Sequence, residues 1–216
     1  MERLTESRRD FLKLASASLV LPLLFGCEGE TSAQRAGADI FSSVKSNAIT
    51  AADCSWCGAK DVPDNVSWKT KLSSDTDKAG RIMIQGTVYQ TDGKTPAPNT
   101  LIYLYHTDIY GIYGKSGEHP HGRYRGWMLT GADGKYEFES IKPASYPDST
   151  ISAHIHMTVT GKDRKEDWID SILFEGDRFI TARERIPQKG GFNPILKLES
   201  GANGILHAIR DIKLMS

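Results

Sequence analysis

Short runs of alternating apolar and polar residues, separated by turn residues, dominate the chain from about residue 80 to its end. Residues 81–90 place Ile82, Ile84 and Val88 on one face, as expected for a half-buried β-strand. Similar strand-like runs follow at residues 100–106, 127–130, 136–140, 152–160, 171–174, 195–198 and 206–214. Short strands at this spacing predict an all-β fold, a two-sheet β-sandwich of one domain covering residues 80–216. The turn Ala132-Asp133-Gly134 predicts a hairpin between two of these strands.

The N-terminus predicts export. Residues 7–13 (SRRDFLK) match a twin-arginine signal, and the apolar stretch at 14–25 is too short to span a bilayer. The residues before Cys27 resemble a lipobox, so we expect a signal peptide at 1–26 and a lipid on Cys27. This predicts a protein exported by the twin-arginine route to the cell envelope or periplasm. Its only membrane contact would be the lipid anchor.

The segment at residues 27–79 is predicted to be a tether that carries a pair of cysteines. Residues 28–53 are rich in small and charged side chains, which suits a flexible linker. In an oxidising compartment, Cys54 and Cys57 are expected to form a small-loop disulfide or to remain paired thiols. A four-cysteine zinc site would need a second pair, which the chain lacks.

The charge of the chain is balanced. It has 27 basic and 27 acidic residues, a formal net charge of zero. This balance offers no electrostatic basis for binding nucleic acid or an anionic membrane surface. We therefore expect a small substrate.

A pair of histidines in a strand-like run is the candidate metal site. In AHIH at residues 153–156, His154 and His156 project from the same face of a strand, so both imidazoles can reach one ion. Tyr146 and Tyr113 would add phenolate oxygens, which suit a hard ion such as Fe(III) better than zinc. Gly111 is expected to supply the turn that directs Tyr113 inward. A zinc or copper site on the two histidines alone, with the tyrosines as packing residues, is an alternative.

The other histidines are interpreted as structural. His119 and His121 flank Pro120, which argues against a regular strand, so we expect a flexible loop over the site rather than a ligand pair. His106 and His207 have no partner in the sequence pattern.

Four ordered motifs lie in the second half of the chain: LYHTDIYGIYG at 104–114, RGWMLTGADGKYEFESIKPASYP at 125–147, AHIHMTV at 153–159 and FEGD at 174–177. Together they resemble the intradiol ring-cleavage dioxygenases, the catechol, protocatechuate and hydroxyquinol dioxygenases that use non-haem Fe(III). The resemblance implies four iron ligands: Tyr146 and His156 in axial positions, and Tyr113 and His154 in equatorial positions. It also implies that Tyr146 acts as a catalytic base, and that the iron lies between the sheets. The implied reaction is cleavage of a small aromatic diol by O2 to a muconate-type diacid.

Two positions depart from the family pattern. The arginine usual three residues before the first histidine is Ile151, and the glutamine usual before the FEGD motif is Ser171. Arg123, Arg125 and Arg178 are candidates for supplying a positive charge to the substrate from elsewhere, and Arg123 and Arg125 are the two that we assign to substrate binding.

A non-catalytic function is the main alternative. Residues 84–96 (IQGTVYQTDGKTP) also resemble the opening of transthyretin-like and carboxypeptidase-regulatory-like domains, which bind rather than react. Such an exported binding module has no reason to keep two tyrosines and two histidines in register. Replacing Tyr113 and Tyr146 with phenylalanine distinguishes the two hypotheses, since iron would be lost only from the dioxygenase.

Overall fold

The computed structural model describes residues 32–54, 56, 58–77, 80–115 and 118–216. The export signal, Cys27 and Cys57 lie outside the described residues. The elements are α1 (Ser32–Ser46), α2 (Ala51–Cys54), β1 (Lys69–Lys71), β2 (Arg81–Tyr89), β3 (Leu101–His106), β4 (Arg125–Leu129), β5 (Lys135–Ile141), β6 (His154–Gly161), β7 (Arg164–Phe174), β8 (Ile195–Leu196), β9 (Glu199–Ser200), β10 (Leu206–Ile209) and β11 (Ile212–Lys213). Among these elements, no helix is long and apolar enough to cross a membrane.

Two β-sheets pack face to face, so the predicted all-β sandwich is confirmed. The first sheet has the order β1-β5-β2-β10-β9, with β11 also paired to β2, and the second has the order β4-β3-β6-β7-β8. Inward-facing apolar residues of both sheets form one core, in which Ile84 and Phe138 of the first sheet join Leu104, Ile155 and Met157 of the second. Along β2, buried residues alternate with more exposed ones, as the sequence predicts.

The turn at residues 131–134 connects the two sheets, so the predicted hairpin is wrong. β4 pairs with β3 in the second sheet, whereas β5 pairs with β2 in the first. Gly134 does adopt a positive φ of 72°, as a tight turn requires. Turn residues therefore predicted a change of chain direction, but they do not determine which sheet the next strand joins.

The segment before the sandwich differs from the expected tether, because α1 packs against the second sheet. Ile40, Phe41 and Val44 recur at helical spacing, which places them on one side of α1. Phe41 and Val44 are buried in a second apolar cluster with Leu101 of β3. Serine, alanine and charged residues are compatible with a helix when a few apolar side chains provide a packing face.

His106, at the end of β3, is buried as a neutral imidazole. Its Nδ1 donates to the Thr107 carbonyl (2.7 Å), and its Nε2 accepts from the Ser140 hydroxyl (2.7 Å). Burial lowers the pKa of His106 to about 4 from 6.5. The structural role expected from sequence agrees with these contacts.

Acid should destabilise the protein through His106. A group whose folded pKa is depressed binds fewer protons when folded, so its contribution is present above pH 6.5 and is lost as the pH falls toward 4. We expect a loss of about 2 kcal/mol between pH 7 and pH 5 from this residue. The free energy of unfolding, measured with denaturant at pH 7 and pH 5, should change less for His106→Asn than for the wild type. Equal dependences would contradict the assignment.

Candidate metal centre

Four side-chain atoms of the predicted ligands converge on one point. The Tyr146 hydroxyl lies 2.6 Å from the Tyr113 hydroxyl, 3.2 Å from His154 Nε2 and 3.5 Å from His156 Nε2. The two Nε2 atoms are 3.0 Å apart. Atoms bound to one metal ion at about 2 Å lie roughly 3 Å from each other, so this spacing suits a shared ion.

The two tyrosines reach the cluster from loops that pack tightly on each other. Gly111 has a φ of 78°, and a Cβ there would lie 2.0 Å from the Ser145 carbonyl oxygen. Only glycine permits this approach, which brings the segment carrying Tyr113 against the one carrying Tyr146. The expected role of Gly111 in the turn agrees with this geometry.

The two histidines project from β6, at an irregularity in its pairing with β7. Ile155 pairs with Ile172 but Met157 pairs with Ile169, so β7 has one extra residue opposite His156. Such bulges change the direction of side chains and occur often beside functional sites. Just before His154, the Ala153 N–H donates to Asp177 of the FEGD motif (2.8 Å), which fixes the start of the strand.

Hydrogen bonds on the far side of each imidazole direct the histidines toward the cluster. His154 Nδ1 lies 2.7 Å from the Ser152 carbonyl oxygen, which can only accept. Its proton is therefore on Nδ1, and the Nε2 lone pair faces the other donors. His156 Nδ1 lies 3.4 Å from the Ser171 hydroxyl, so the serine at the departure from the family pattern contacts a predicted ligand.

The cluster lies on the outer face of the second sheet, and the expected position between the sheets is wrong. Ile155 and Met157 alternate with His154 and His156, and both belong to the core between the sheets. Since successive side chains of a strand point to opposite faces, the histidines point away from that core. The loops that carry Tyr113 and Tyr146 cover them there.

A layer of aromatic rings surrounds His156, and the sequence analysis did not identify it. Tyr105 stacks on His156 (centroids 4.6 Å apart) and on His121 (3.5 Å), and Trp168 meets His156 edge to face (5.9 Å). His121 is buried, and its Nδ1 shares a hydrogen bond with the Tyr103 hydroxyl (2.8 Å). It is therefore an ordered packing residue rather than part of a flexible loop. The pairing of Tyr105 with His156 places Tyr103 and Tyr105 on the face of His156. The alternation of the two tyrosines was visible in the sequence, but the strand pairing was not.

Burial keeps the His156 imidazole and the Tyr113 phenol of the cluster in their neutral forms. Burial lowers the pKa of His156 to about 3, with a further contribution from His154, so the imidazole is neutral. Burial and the hydrogen bond with Tyr146 raise the pKa of the Tyr113 phenol above its ordinary value. A metal ion would offset both the phenol ionisation and the close approach of two imidazole lone pairs. Across the described ranges, no group of three or more His, Cys, Asp or Glu is arranged to hold a metal, so an ion shared by this cluster would need the tyrosine oxygens.

Arg123 and Arg125, the candidates for supplying a positive charge to the substrate, form their contacts away from the four donor atoms of the cluster. Arg123 forms a bidentate ion pair with Asp77 (2.7 and 3.2 Å), and Arg125 lies over the Trp127 ring (5.4 Å). Ile151, at the other departure from the family pattern, is half exposed at 50 %. Neither arginine contacts a predicted ligand through any hydrogen bond within the described part of the chain.

The remaining predicted residues lie elsewhere. Cys54 ends α2 and is disulfide-bonded, but its pairing with Cys57 stays a prediction because Cys57 is outside the described residues. His119 Nδ1 accepts from the His121 N–H (3.1 Å), and His207 is on β10 in the other sheet.

Known proteins resemble this chain in sequence and in fold. A family profile described as "Dioxygenase" matches residues 60–190. Catechol 1,2-dioxygenase 1 of Acinetobacter lwoffii is 30% identical over 159 residues, which cover 60% of this chain and 50% of that protein. The protocatechuate 3,4-dioxygenase beta chain of Burkholderia cepacia is 29% identical over 136 residues, 57% of each chain. The chain thus spans about half the length of the curated relatives it matches.

Solved structures share the fold at lower identity. The dioxygenase domain of a dioxygenase carbohydrate-binding protein fusion from the cellulolytic bacterium Streptomyces sp. SirexAA-E aligns with a TM-score of 0.53 at 20% identity. This alignment covers 69% of this chain and 89% of that domain. Mercury-inhibited catechol 1,2-dioxygenase from Acinetobacter sp. ADP1 aligns with a TM-score of 0.55 at 20% identity, over 70% of this chain and 59% of that one. With a family profile that matches more than half of its residues, the chain belongs to the intradiol ring-cleavage dioxygenase family.

Proposed function

We propose that this protein uses non-haem Fe(III) and O2 to open the ring of a catechol-type aromatic diol, giving a muconate-type dicarboxylic acid. The observation that carries the proposal is the convergence of two phenol oxygens and two imidazole nitrogens around the Tyr146 hydroxyl. Membership of the family supports the same class of reaction. A binding module without chemistry would have no use for this donor set.

Tyr113, Tyr146, His154 and His156 are the residues that would hold the ion. Two phenolates and two neutral imidazoles match a hard trivalent cation better than zinc. Bound there, Fe(III) would supply the Lewis acidity that makes an aromatic diolate reactive toward O2. The hydrogen bond from His154 Nδ1 to Ser152 keeps the metal-facing nitrogen free of a proton.

Tyr146 is the residue that we assign as the base. Its oxygen contacts the other three donor atoms, and it lies on a loop held by Pro143 and Pro147. With the ion bound, Tyr146 would be held as a phenolate, and its oxygen could then accept one hydroxyl proton from the diol. In the balanced reaction, the bond between the two hydroxyl-bearing carbons breaks, and both atoms of O2 enter the product diacid.

The aromatic layer around His156 would keep that ligand in one orientation during turnover. Tyr105 stacks on one side of the imidazole, while Trp168 meets its edge. The stacked Tyr105 ring also covers one face of the imidazole. The proposed partners of the protein are therefore one small aromatic diol and O2.

We also propose export by the twin-arginine route and a lipid anchor on Cys27 at the cell envelope. The support is the sequence pattern of residues 7–27 alone. Metabolic labelling with a fatty acid should label the wild type but not Cys27→Ala. Equal labelling of both would contradict the anchor.

The visible spectrum and metal content of the purified protein test the enzymatic proposal. We expect about one iron per chain and a red-brown tyrosinate-to-Fe(III) band that shifts when catechol is added without oxygen. Admitting O2 should then consume about one O2 per catechol and give a muconate-type product. A protein that stays colourless after reconstitution with iron would contradict the proposal and favour the binding module.

A further inference from the structure

A cleft of about 430 Å³ lies beside the candidate metal centre. Its floor is the outer face of β7, including Trp168, Ser171 and Leu173, and its far wall is the loop at residues 183–194. This volume is within the range of small-molecule pockets. It exceeds what a bare catechol ring occupies.

The cleft and the four donor atoms share one face of the same sheet, on neighbouring strands. Leu173 pairs with His154, and Ser171 contacts His156 Nδ1 at 3.4 Å. Neighbouring strands are about 4.8 Å apart, so a short substituent on a ring bound at the cluster reaches the cleft. The cleft is thus placed to hold whatever the diol carries beyond its ring.

The lining of the cleft is largely apolar, and the loop that forms its wall is held in shape. Trp168, Leu173, Ile186 and Pro194 provide apolar surface, and Ile186 is 63% exposed. Glu184 accepts hydrogen bonds from the N–H and hydroxyl groups of one residue in the same turn (2.8 and 2.7 Å). A pre-shaped apolar wall favours an apolar substituent.

One charged group of the cleft is available to a ligand. Asp170 accepts from two backbone N–H groups (2.7 and 3.0 Å), and Lys189 is paired with both oxygens of Asp167 (2.8 Å each). Glu184 is engaged in its turn. By contrast, the Arg183 guanidinium has no hydrogen bond or ion pair with any residue that the structure describes. A guanidinium is suited to bind a carboxylate through two parallel hydrogen bonds.

We propose that this cleft recognises the substituent of the substrate, and that the substrate is a diol whose apolar side arm ends in a carboxylate. Trp168 and Ile186 would contact the arm, and Arg183 would bind its carboxylate. This inference rests on the proposed function, because it places the diol ring at the four-atom cluster. Arg183 is then a specificity residue with no part in the ring chemistry.

Calorimetric titration with 3-phenylpropionate tests the cleft separately from the iron chemistry, because this probe has no diol and cannot chelate the metal. We expect the wild type to bind it more tightly than its uncharged analogue, 3-phenylpropan-1-ol. Arg183→Gln should weaken phenylpropionate binding by about three- to tenfold, the range for an exposed ion pair with good geometry, and leave the alcohol unaffected. Ile186→Ala should weaken both. Arg185→Gln is the matched control, since Arg185 is exposed on the same loop but does not line the cleft.

Steady-state kinetics extend the test to turnover. Arg183→Gln should raise the KM for 3,4-dihydroxyphenylpropionate by a similar factor, with the kcat and the kinetics on catechol unchanged. Turnover of catechol without binding of phenylpropionate would overturn the cleft assignment and leave the proposed function intact. The protein could instead bind phenylpropionate in a manner that depends on Arg183 and yet take up no iron. That result would contradict the proposed function and the assignment of the ligand as a diol. Equal effects of Arg183→Gln and Arg185→Gln would overturn the role of Arg183.

Discussion

Replacing Tyr146 with phenylalanine should lower the rate of O2 uptake with catechol by roughly 10²- to 10⁴-fold, the range for removing a positioned acid or base. The hydroxyl of Tyr146 is the atom that contacts all three other donors, so its loss would remove a proposed ligand as well as the proposed base. The fold should persist, because each hydrogen bond of this hydroxyl in the described chain is to a cluster residue. Iron content and the tyrosinate band should fall together with the rate.

Tyr110→Phe is the matched control for Tyr146→Phe. Tyr110 is 70% exposed and lies on the same loop as Tyr113, so loss of its hydroxyl should leave iron, colour and rate at wild-type values. Oxygen-uptake rates, metal analysis and visible spectra of the three proteins compare the two substitutions directly. A Tyr146→Phe protein with the wild-type rate would remove Tyr146 from the mechanism.

Replacing Glu166 with alanine should lower the free energy of unfolding by about 3–5 kcal/mol, because three donors lose a buried acceptor. The Glu166 carboxylate is almost fully buried, and it accepts from the Thr158 hydroxyl (2.6 Å) and from the N–H groups of Ile49 (3.0 Å) and Ala59 (3.3 Å). These bonds attach the N-terminal segment to the outer face of the second sheet. Urea unfolding followed by tryptophan fluorescence measures the loss.

Asp167→Ala provides the control on the same strand. Asp167 is exposed and forms a surface ion pair with Lys189, so its loss should cost less than about 1 kcal/mol. Glu166→Gln, which keeps one acceptor oxygen, should fall between the two. If Glu166→Ala and Asp167→Ala lowered the free energy of unfolding equally, the Glu166 carboxylate would not be the group that holds the N-terminal segment.

The N-terminal segment that Glu166 holds also packs against residues that support the candidate metal centre. A Cβ on Gly58 would lie 2.0 Å from the Tyr103 ring, and the Gly58 carbonyl accepts from the Trp127 indole N–H. Tyr103 in turn hydrogen-bonds His121, which stacks on Tyr105. The segment expected to be a tether is therefore part of the packing that supports His156.

The pairing of His154 and His156 on one face was predictable because its determinant is local, whereas Tyr113 and Tyr146 were implied as their partners by the resemblance of the motifs to a family. The spacing of His154 and His156 is set by the two-residue period of a strand, and the turn before Tyr113 by one glycine. Most strands of the sandwich could be predicted for the same reason, but β1 (Lys69–Lys71) lies in the expected tether and the first half of β7 (Arg164–Phe174) was not predicted. The predicted hairpin at residues 131–134 failed because its outcome depends on which sheet accepts the next strand.

The aromatic layer and the cleft could not be derived from local patterns. Tyr105, His121 and Trp168 come from three separate segments, and only the pairing of β3, β6 and β7 places two of them beside His156. The sequence likewise did not show which face of the sheet carries the cluster. That face follows from the packing of Ile155 and Met157 in the core.

The sequence by itself determined that this chain forms short strands, and that two tyrosines and two histidines are available as ligands. Alternation, turn residues and the spacing within a motif are patterns of fewer than about ten residues. They can therefore be read directly from the sequence. The tertiary structure alone decided that α1 is docked, that the cluster lies on the outer face, and that a cleft with Arg183 adjoins it. Those features depend on contacts such as the one between Glu166 and Ala59, which are 107 residues apart. Contacts of that range form only when strand order and sheet packing are settled together.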